Sequence, residues 1–468
     1  MTRTRLPVLL TVTAVAVLAG PVNAQEAALA QTDTTDRTQA LEARLDAMER
    51  EIASLRAELA QAKAVAASPA PVPVSPSAHV ESVATSSTEQ RLAALEKNAE
   101  LGFRVGATRF SIGGYLKIDA LVSDYSDGDP IANALINDYY NPGQIPVGGR
   151  GDGAELTTSV RETRVVLRSE TPLAGQTLTG LLEVDFLDTP LIGNQRVSNS
   201  FVPRVRRAFI NWNNLTLGQD WSTFQNVAAL PERLDFIGPT EGTVFERQPL
   251  IRWRSGGLSV ALENPETTVT VAAASFEADD DVAPDLVLRY DHRLAHGSLA
   301  LAAIGRYLRV QELAAANPGG VSVIEGDAFG WGVSASGVHD FGPNRLSWMA
   351  NLGEGIGRYL GLNIRDDVIA TSSGGIDAPF VVSGFVALRH SFSPQWRLIG
   401  TGSGYYSATP DMAAQSLTAS VWSGNLDLIY NPVPPLSLGI GFRYATRELA
   451  NSEEGSLRRL QLSAKYDY

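Results

Sequence analysis

The chain of 468 residues contains no cysteine, which excludes disulfide staples, thiolate catalysis and thiolate metal sites. Past its first two dozen residues it has no apolar run of about 20 residues, so it offers no helical membrane span. Histidine is scarce: His79, His292, His296, His339 and His390 are scattered singly. No Ser-His-Asp arrangement or metal-ligand spacing is visible among them, and a hydrolase would need a nucleophile with a positioned base. No enzyme, no cofactor and no metal is therefore expected. Lysine is nearly missing from the larger part of the chain, where only Lys117 and Lys465 occur, while arginine is abundant. The formal net charge of −13 argues against nucleic acid as a partner.

What is present divides the chain into four parts. Arg3 and Arg5 precede the apolar stretch from Val8 to Ala19, and Val22-Asn23-Ala24 places small residues before a cleavage point. Residues 1–24 are read as a secretory signal peptide. In 25–63, Leu41, Leu45, Met48, Ile52, Leu55 and Leu59 alternate spacings of four and three between charged positions. That is a short α-helical coiled coil of about three heptads, with a lone amphipathic helix as the alternative. Residues 64–101 are a Pro/Ala-rich linker that includes Ser68-Pro69-Ala70-Pro71-Val72-Pro73, followed by a short helix around Leu92 and Leu95.

Residues 102–468 change character. Phe110, Ile112, Gly114, Leu116, Ile118, Ala120 and Val122 alternate with Arg109, Ser111, Tyr115, Lys117, Asp119 and Ser123. Successive strand side chains point to opposite faces, so one face of this segment meets apolar surroundings and the other meets water. The end of the chain repeats the pattern, with Leu460, Leu462, Ala464, Tyr466 and Tyr468 opposite Arg459, Gln461, Ser463, Lys465 and Asp467. Turn signals cut the region into about 16 strand candidates. Brief turns such as Asn213-Asn214 and Ser255-Gly256-Gly257 alternate with long connections at 124–155, 222–246, 265–283, 310–327 and 354–378. Alternating faces, an even strand count and alternating loop lengths together predict an all-β, 16-stranded antiparallel transmembrane β-barrel. Its termini and the coiled coil would lie in the periplasm, beneath the outer membrane of a Gram-negative bacterium.

Several segments resemble the DcaP-like family of trimeric outer-membrane porins. They include Phe110-Ser111-Ile112-Gly113-Gly114-Tyr115-Leu116-Lys117, Glu183-Val184-Asp185-Phe186, Arg206-Arg207-Ala208-Phe209 and Gly218-Gln219-Asp220-Trp221-Ser222-Thr223-Phe224. Ala261-Leu262-Glu263-Asn264-Pro265-Glu266, Gly355-Ile356-Gly357-Arg358-Tyr359 and the C-terminal segment continue the likeness across the barrel. The resemblance implies a homotrimer, a third loop folded inward as a constriction, and uptake of small anionic solutes, dicarboxylates among them.

Strand parity locates the charges of the inner face. Arg164 and Arg168 fall inside with Glu162 on the second strand candidate, Glu183 with Asp185 on the third, Arg252 with Arg254 on the sixth, and Arg289 with Asp291 on the eighth. A charge facing mid-bilayer lipid costs roughly 2–4 kcal/mol, which gives these side chains reason to point inward. For Arg204-Val205-Arg206-Arg207 parity is ambiguous: Arg204 and Arg206 are the favoured lumenal pair, with Arg207 on the other face. Arginine presents a planar fork suited to carboxylates. The pore-lining candidates are therefore Arg164, Arg168, Arg204, Arg206, Arg252, Arg254 and Arg289. The constriction-loop candidates are Glu232, Arg233, Asp235, Glu241, Glu246 and Arg247, whose acids would face the arginine wall and set up a transverse field. Lumenal arginines that merely pair with Glu162, Glu183 and Asp185 are the competing reading. Three functions stay open: an anion-preferring diffusion channel, a general porin of little selectivity, and a structural barrel that tethers the outer membrane to the cell wall or periplasmic partners through its coiled coil.

Overall fold

The chain's computed structural model describes residues 102–468 apart from 132–133, 188–199, 273, 318–319 and 410–414. The signal peptide, coiled coil and linker read from residues 1–101 lie outside the described residues.

Among the described residues, sixteen antiparallel strands close into a barrel. They are β1 (Thr108–Tyr125), β2 (Glu155–Ser159 and Arg164–Leu173), β3 (Gln176–Asp185), β4 (Arg204–Trp212), β5 (Leu215–Trp221), β6 (Arg247–Ser255), β7 (Leu258–Glu263) and β8 (Asp285–Leu294). The series continues with β9 (Gly297–Asn317), β10 (Gly320–Phe341), β11 (Asn344–Glu354), β12 (Phe380–Ser391), β13 (Trp396–Ser407), β14 (Thr418–Val433), β15 (Leu436–Leu449) and β16 (Glu454–Asp467). The last strand returns to the first, in register from Tyr115↔Asp467 to Tyr125↔Leu457, so the sheet has no free edge. Parity on β1 follows the sequence pattern. Ile112, Leu116 and Ile118 are 62%, 55% and 53% exposed on the outer wall, whereas Lys117 and Asp119 between them are 5% and 3% exposed.

Three features depart from simple alternation. The second strand is not continuous over 156–170, because it breaks at 160–163, where Thr163 N donates to Val160 O. The break fits four residues against three on β1 and brings Glu162 onto Lys117. The pairing of β3 with β4 shifts between Glu183 and Val184, a β-bulge at Arg206 and Arg207. An extra residue in one strand lets consecutive side chains point the same way. Arg207 therefore reaches Glu183 and Asp220 on the inner side, and its assignment to the opposite face is corrected. The connection expected over 310–327 is mostly strand: β9 and β10 continue as a long hairpin, with Leu313↔Ile324 paired beyond a bulge at Glu312.

The interior is not uniformly polar. Val287, Ile304, Met349, Val381, Phe385 and Val421 of the inner wall form one apolar cluster with Phe224, Ala229 and Val244 of the 222–246 connection. Ile356, Tyr359 and Leu360 of the 355–379 connection complete it. The 264–284 and 355–379 connections together form a small four-stranded sheet (Thr268–Val271, Ala274–Glu277, Val368–Ala370 and Ile376–Asp377). Large apolar side chains buried inside the barrel remove area from water at roughly 25 cal/mol per Å², which holds the 222–246 segment against the β7–β14 wall.

Candidate functional site

The 222–246 segment takes its path from local chemistry. The Asp235 carboxylate accepts hydrogen bonds from Gly238 N at 3.0 Å and Ile237 N at 3.3 Å, an Asx-type turn at the left-handed Gly238 (φ 89°). The Arg233 guanidinium donates to Pro231 O at 3.0 Å and to Phe236 O at 2.9 Å, closing the same turn. Contacts with distant strands then fix the segment. Lys117 Nζ donates to Leu234 O at 2.6 Å, and Leu234 packs on Ile399 and Ile429. Asn351 Nδ2 donates to Gly242 O at 3.1 Å, and Ser403 Oγ donates to Glu241 at 2.7 Å. Gly242 lies so close to β12 that a Cβ there would stand 2.3 Å from Gly384 O. The first connection joins in: Tyr140 N donates to Asp235 at 2.8 Å, and Thr240 Oγ1 donates to Tyr140 O at 3.1 Å.

The arginines of β2, β4 and β6 form a chain of ion pairs. Glu183 takes Arg206 at 2.7 Å, Arg207 at 3.1 Å and Arg164 at 3.4 Å. Asp185 takes Arg206 at 2.7 Å and both donors of the Arg204 fork at 2.9 and 3.0 Å. Asp220 is shared by Arg207 at 2.8 Å and Arg252. Arg289 pairs with Asp291 and also donates to Asn226 Oδ1 at 3.0 Å, which ties β8 to the 222–246 segment. Aromatic faces cover the remaining positive charge, with the Arg206 guanidinium 4.9 Å from the Phe236 ring and that of Arg247 5.0 Å from Trp221. Arg168 and Arg254 make no ion pair among the described residues.

The acids of the segment are placed differently from a row facing this wall. Glu232 is clasped by Arg397 of β13, with Arg389 of β12 at 3.8 Å. Asp235 serves the turn and Tyr140, Glu241 meets Ser403, and Glu246 approaches Arg358 at 3.9 Å. A buried carboxylate needs donors wherever it sits, and these acids find theirs in the anchoring contacts. Arg247 belongs to β6 rather than to the connection. Burial raises the Glu246 carboxyl above its ordinary range, and it lowers the Arg233 guanidinium from its usual value. Burial likewise raises Asp138 in the first connection, against the opposing pull of Arg161.

Two larger cavities are lined by the segment and share Val227 with a third, of about 100 Å³, beside Arg345 and Arg389. One, of about 490 Å³, is lined by Lys117, Arg164, Arg168, Arg233, Arg397 and Lys465 together with Glu183, Glu232 and Asp467. The other, of about 510 Å³, is lined by Arg207, Arg252, Arg254 and Arg289 together with Asp220 and Asp291. The pore-lining candidates drawn from the sequence omitted Lys117, Arg389 and Arg397, and placed Arg207 on the other face. The signal for Arg397 was legible, since Arg397, Ile399 and Thr401 alternate with Trp396, Leu398 and Gly400. The partnership of Glu232 with β12 and β13 had no local signal, because more than 150 residues separate the partners.

No family model matches the chain, and no curated protein matches it. Among solved structures it is similar to the outer membrane channel DcaP of Acinetobacter baumannii, with 23% identity and a TM-score of 0.64 over 78% of this chain and 99% of that chain. The fold is that of the DcaP channel. OmpT of Vibrio cholerae matches at 10% identity and a TM-score of 0.49, over 78% of this chain and 100% of that one. An anion-selective porin from Comamonas acidovorans matches at 12% and 0.47, over 77% and 100%.

Proposed function

We propose that the protein is an outer-membrane diffusion channel for small hydrophilic anions such as dicarboxylates, with the 222–246 segment as its constriction. It acts as a homotrimer in the outer membrane of a Gram-negative bacterium, with the coiled coil in the periplasm. One observation carries the ionic preference: in the two larger cavities lined by the segment the cations outnumber the carboxylates two to one. Fixed charge in a narrow, low-dielectric passage raises the local concentration of the opposite ion. The chemistry is passive, with Arg168, Arg233 and Arg254 offering donors to a passing carboxylate while the paired arginines hold the wall.

A second reading, a general porin of little selectivity, has its own support. Glu183, Asp185, Asp220 and Asp291 each neutralise arginines of the wall. Reversal potentials of the purified channel in a planar bilayer under a KCl gradient separate the two. A potential of the sign given by chloride-preferring conductance, with steps in groups of three, supports the anion channel. A potential near zero favours the general porin. Cation preference overturns the proposal.

A further inference from the structure

The outer wall of the barrel differs in height from one side to the other. Seven residues form β5 and six form β7, against 21 in β9 and 22 in β10. Trp212, Leu215 and Trp253 make one outward row across β4, β5 and β6, an aromatic rim beside the short turns. The next row, Ile210, Leu217 and Ile251, is apolar and exposed. The row after it is already Ala208, Gln219 and Pro249, and past Trp221 the chain leaves the wall for the 222–246 segment. From the tryptophan row to Gln219 is four residues. At about 3.3 Å per residue and a tilt of about 40°, they cover about 10 Å. The apolar band of an outer-membrane barrel is about 25 Å tall. On β9 the outward residues from Leu299 to Tyr307 span eight, or about 20 Å at the same tilt, with Trp348 and Phe329 in the rows that bound them.

Polar groups mark the same low side. Ser169 of β2 and Gly180 of β3 stand in the Ile210 row, and a Cβ on Gly180 would lie 2.5 Å from Ser169 Oγ. Thr171, in the tryptophan row, shares a hydroxyl hydrogen bond of 2.8 Å with Thr108. Gln219 Nε2 donates to Arg206 O at 3.0 Å, at the bulge of β4. By contrast, the outward rows through Leu301, Val333 and Val386 across β9–β12 hold only apolar residues and glycine. Hydrocarbon offers a hydroxyl or an amide no partner, so lipid suits the tall wall and not the low one. A protein surface supplies donors and acceptors as well as apolar area. We infer that the outer face of β2–β6, centred on Ser169, Gly180, Ala208 and Gln219, docks a second copy of this chain. The inference rests on the homotrimer proposed above and names the face through which it forms. In a closed ring of three, the low walls gather around the threefold axis and none is left against lipid. The chain also enters the barrel on this side, where Phe103–Val105 pairs with Thr108–Phe110 at the foot of β1, next to β2. Copies joined by the low wall therefore bring their N-terminal entries towards the shared axis.

The chain has no cysteine, so single-cysteine variants each carry one bimane probe without background. Leu217→Cys and Ile251→Cys report the low wall, and Leu301→Cys and Val386→Cys report the tall one. The full-length protein is purified and reconstituted into phosphatidylcholine vesicles bearing a nitroxide on the acyl chain, which quenches a fluorophore it reaches. Quenching should be at least threefold weaker at the two low-wall sites. No other protein is present, so that shielding comes from another copy. Light scattering in detergent should give wild type the mass of three chains and Leu217→Arg that of one. Combined with Leu217→Arg, the Ile251→Cys probe should be quenched as strongly as the tall-wall probes. Equal quenching at all four sites, in protein with the mass of three chains, overturns this face and leaves the homotrimer standing. A mass of three chains that persists in folded Leu217→Arg does the same. A wild-type mass of one chain overturns the homotrimer, and this face with it. Gel migration of the unheated barrel confirms folding, and if Leu217→Arg does not fold, the quenching comparison decides alone.

Discussion

Replacing Leu234 by alanine should loosen the 222–246 segment without unfolding the barrel. Leu234 is 5% exposed and packs with Ile399 and Ile429 above two glycines of β15. A Cβ on Gly439 would stand 2.3 Å from Leu234 Cδ2, and one on Gly441 would stand 3.3 Å from Cδ1, so the leucine fills a pit that only glycine leaves open. Buried Leu→Ala changes cost about 2–5 kcal/mol, and the lower end applies where surroundings can relax. About 2 kcal/mol raises the ratio of detached to docked segment roughly 30-fold. The Leu234 backbone keeps its bonds from Lys117 and Gln461, and the barrel ladder is untouched, so the effect should stay local. Single-channel recordings should show excess open-channel noise or a second, larger conductance level. Gly439→Val, which pushes Leu234 out of its pit from the other side, should reproduce it. Identical conductance and noise in wild type and both variants, in protein that migrates as a folded barrel, would refute the idea that this apolar pin holds the segment.

Other expectations follow from the same contacts. Glu232→Gln should release Arg397 and Arg389 into the cavity and shift the reversal potential toward anions, whereas Arg397→Met should shift it the other way. Glu183→Gln leaves Arg164, Arg206 and Arg207 short of a shared carboxylate, and losing one partner of a buried pair costs about 3–5 kcal/mol; the temperature of heat-induced gel shift should fall. Glu246 binds its proton more tightly in the folded chain than an ordinary glutamate does, because burial disfavours its charge. Its contribution to stability is therefore greatest below the ordinary glutamate pKa and declines as pH rises through the raised value; Glu246→Gln should remove that component from the pH–stability profile. On the outer wall, Leu116→Lys should destabilise the barrel by roughly 2–4 kcal/mol, read as a lower temperature of heat-induced gel shift.

The sequence by itself determined the wall. Side-chain alternation has a period of two and needs only neighbouring residues, so Ile112, Leu116 and Ile118 declared the lipid face and Lys117 and Asp119 the lumen. Turn chemistry is equally local, and Asn213-Asn214 and Ser255-Gly256-Gly257 marked where strands reverse. Alternating connection lengths then carried the even strand count. What only the tertiary structure decided lies across the barrel or at an irregularity. The bulge that turns Arg206 and Arg207 to the same side is one inserted residue, visible only against the register of β3. The continuation of β9 and β10 through 310–327 depends on each strand finding the other. The inner apolar cluster was hidden because Val287, Met349 and Phe385 sit at lumenal parity, where polar residues are expected. Their partners, Phe224 and Val244, come from a connection far away in sequence. The same distance hid the anchoring of Glu232 by Arg397: an ion pair is set by where closure of the sheet brings two side chains, and no periodicity encodes that.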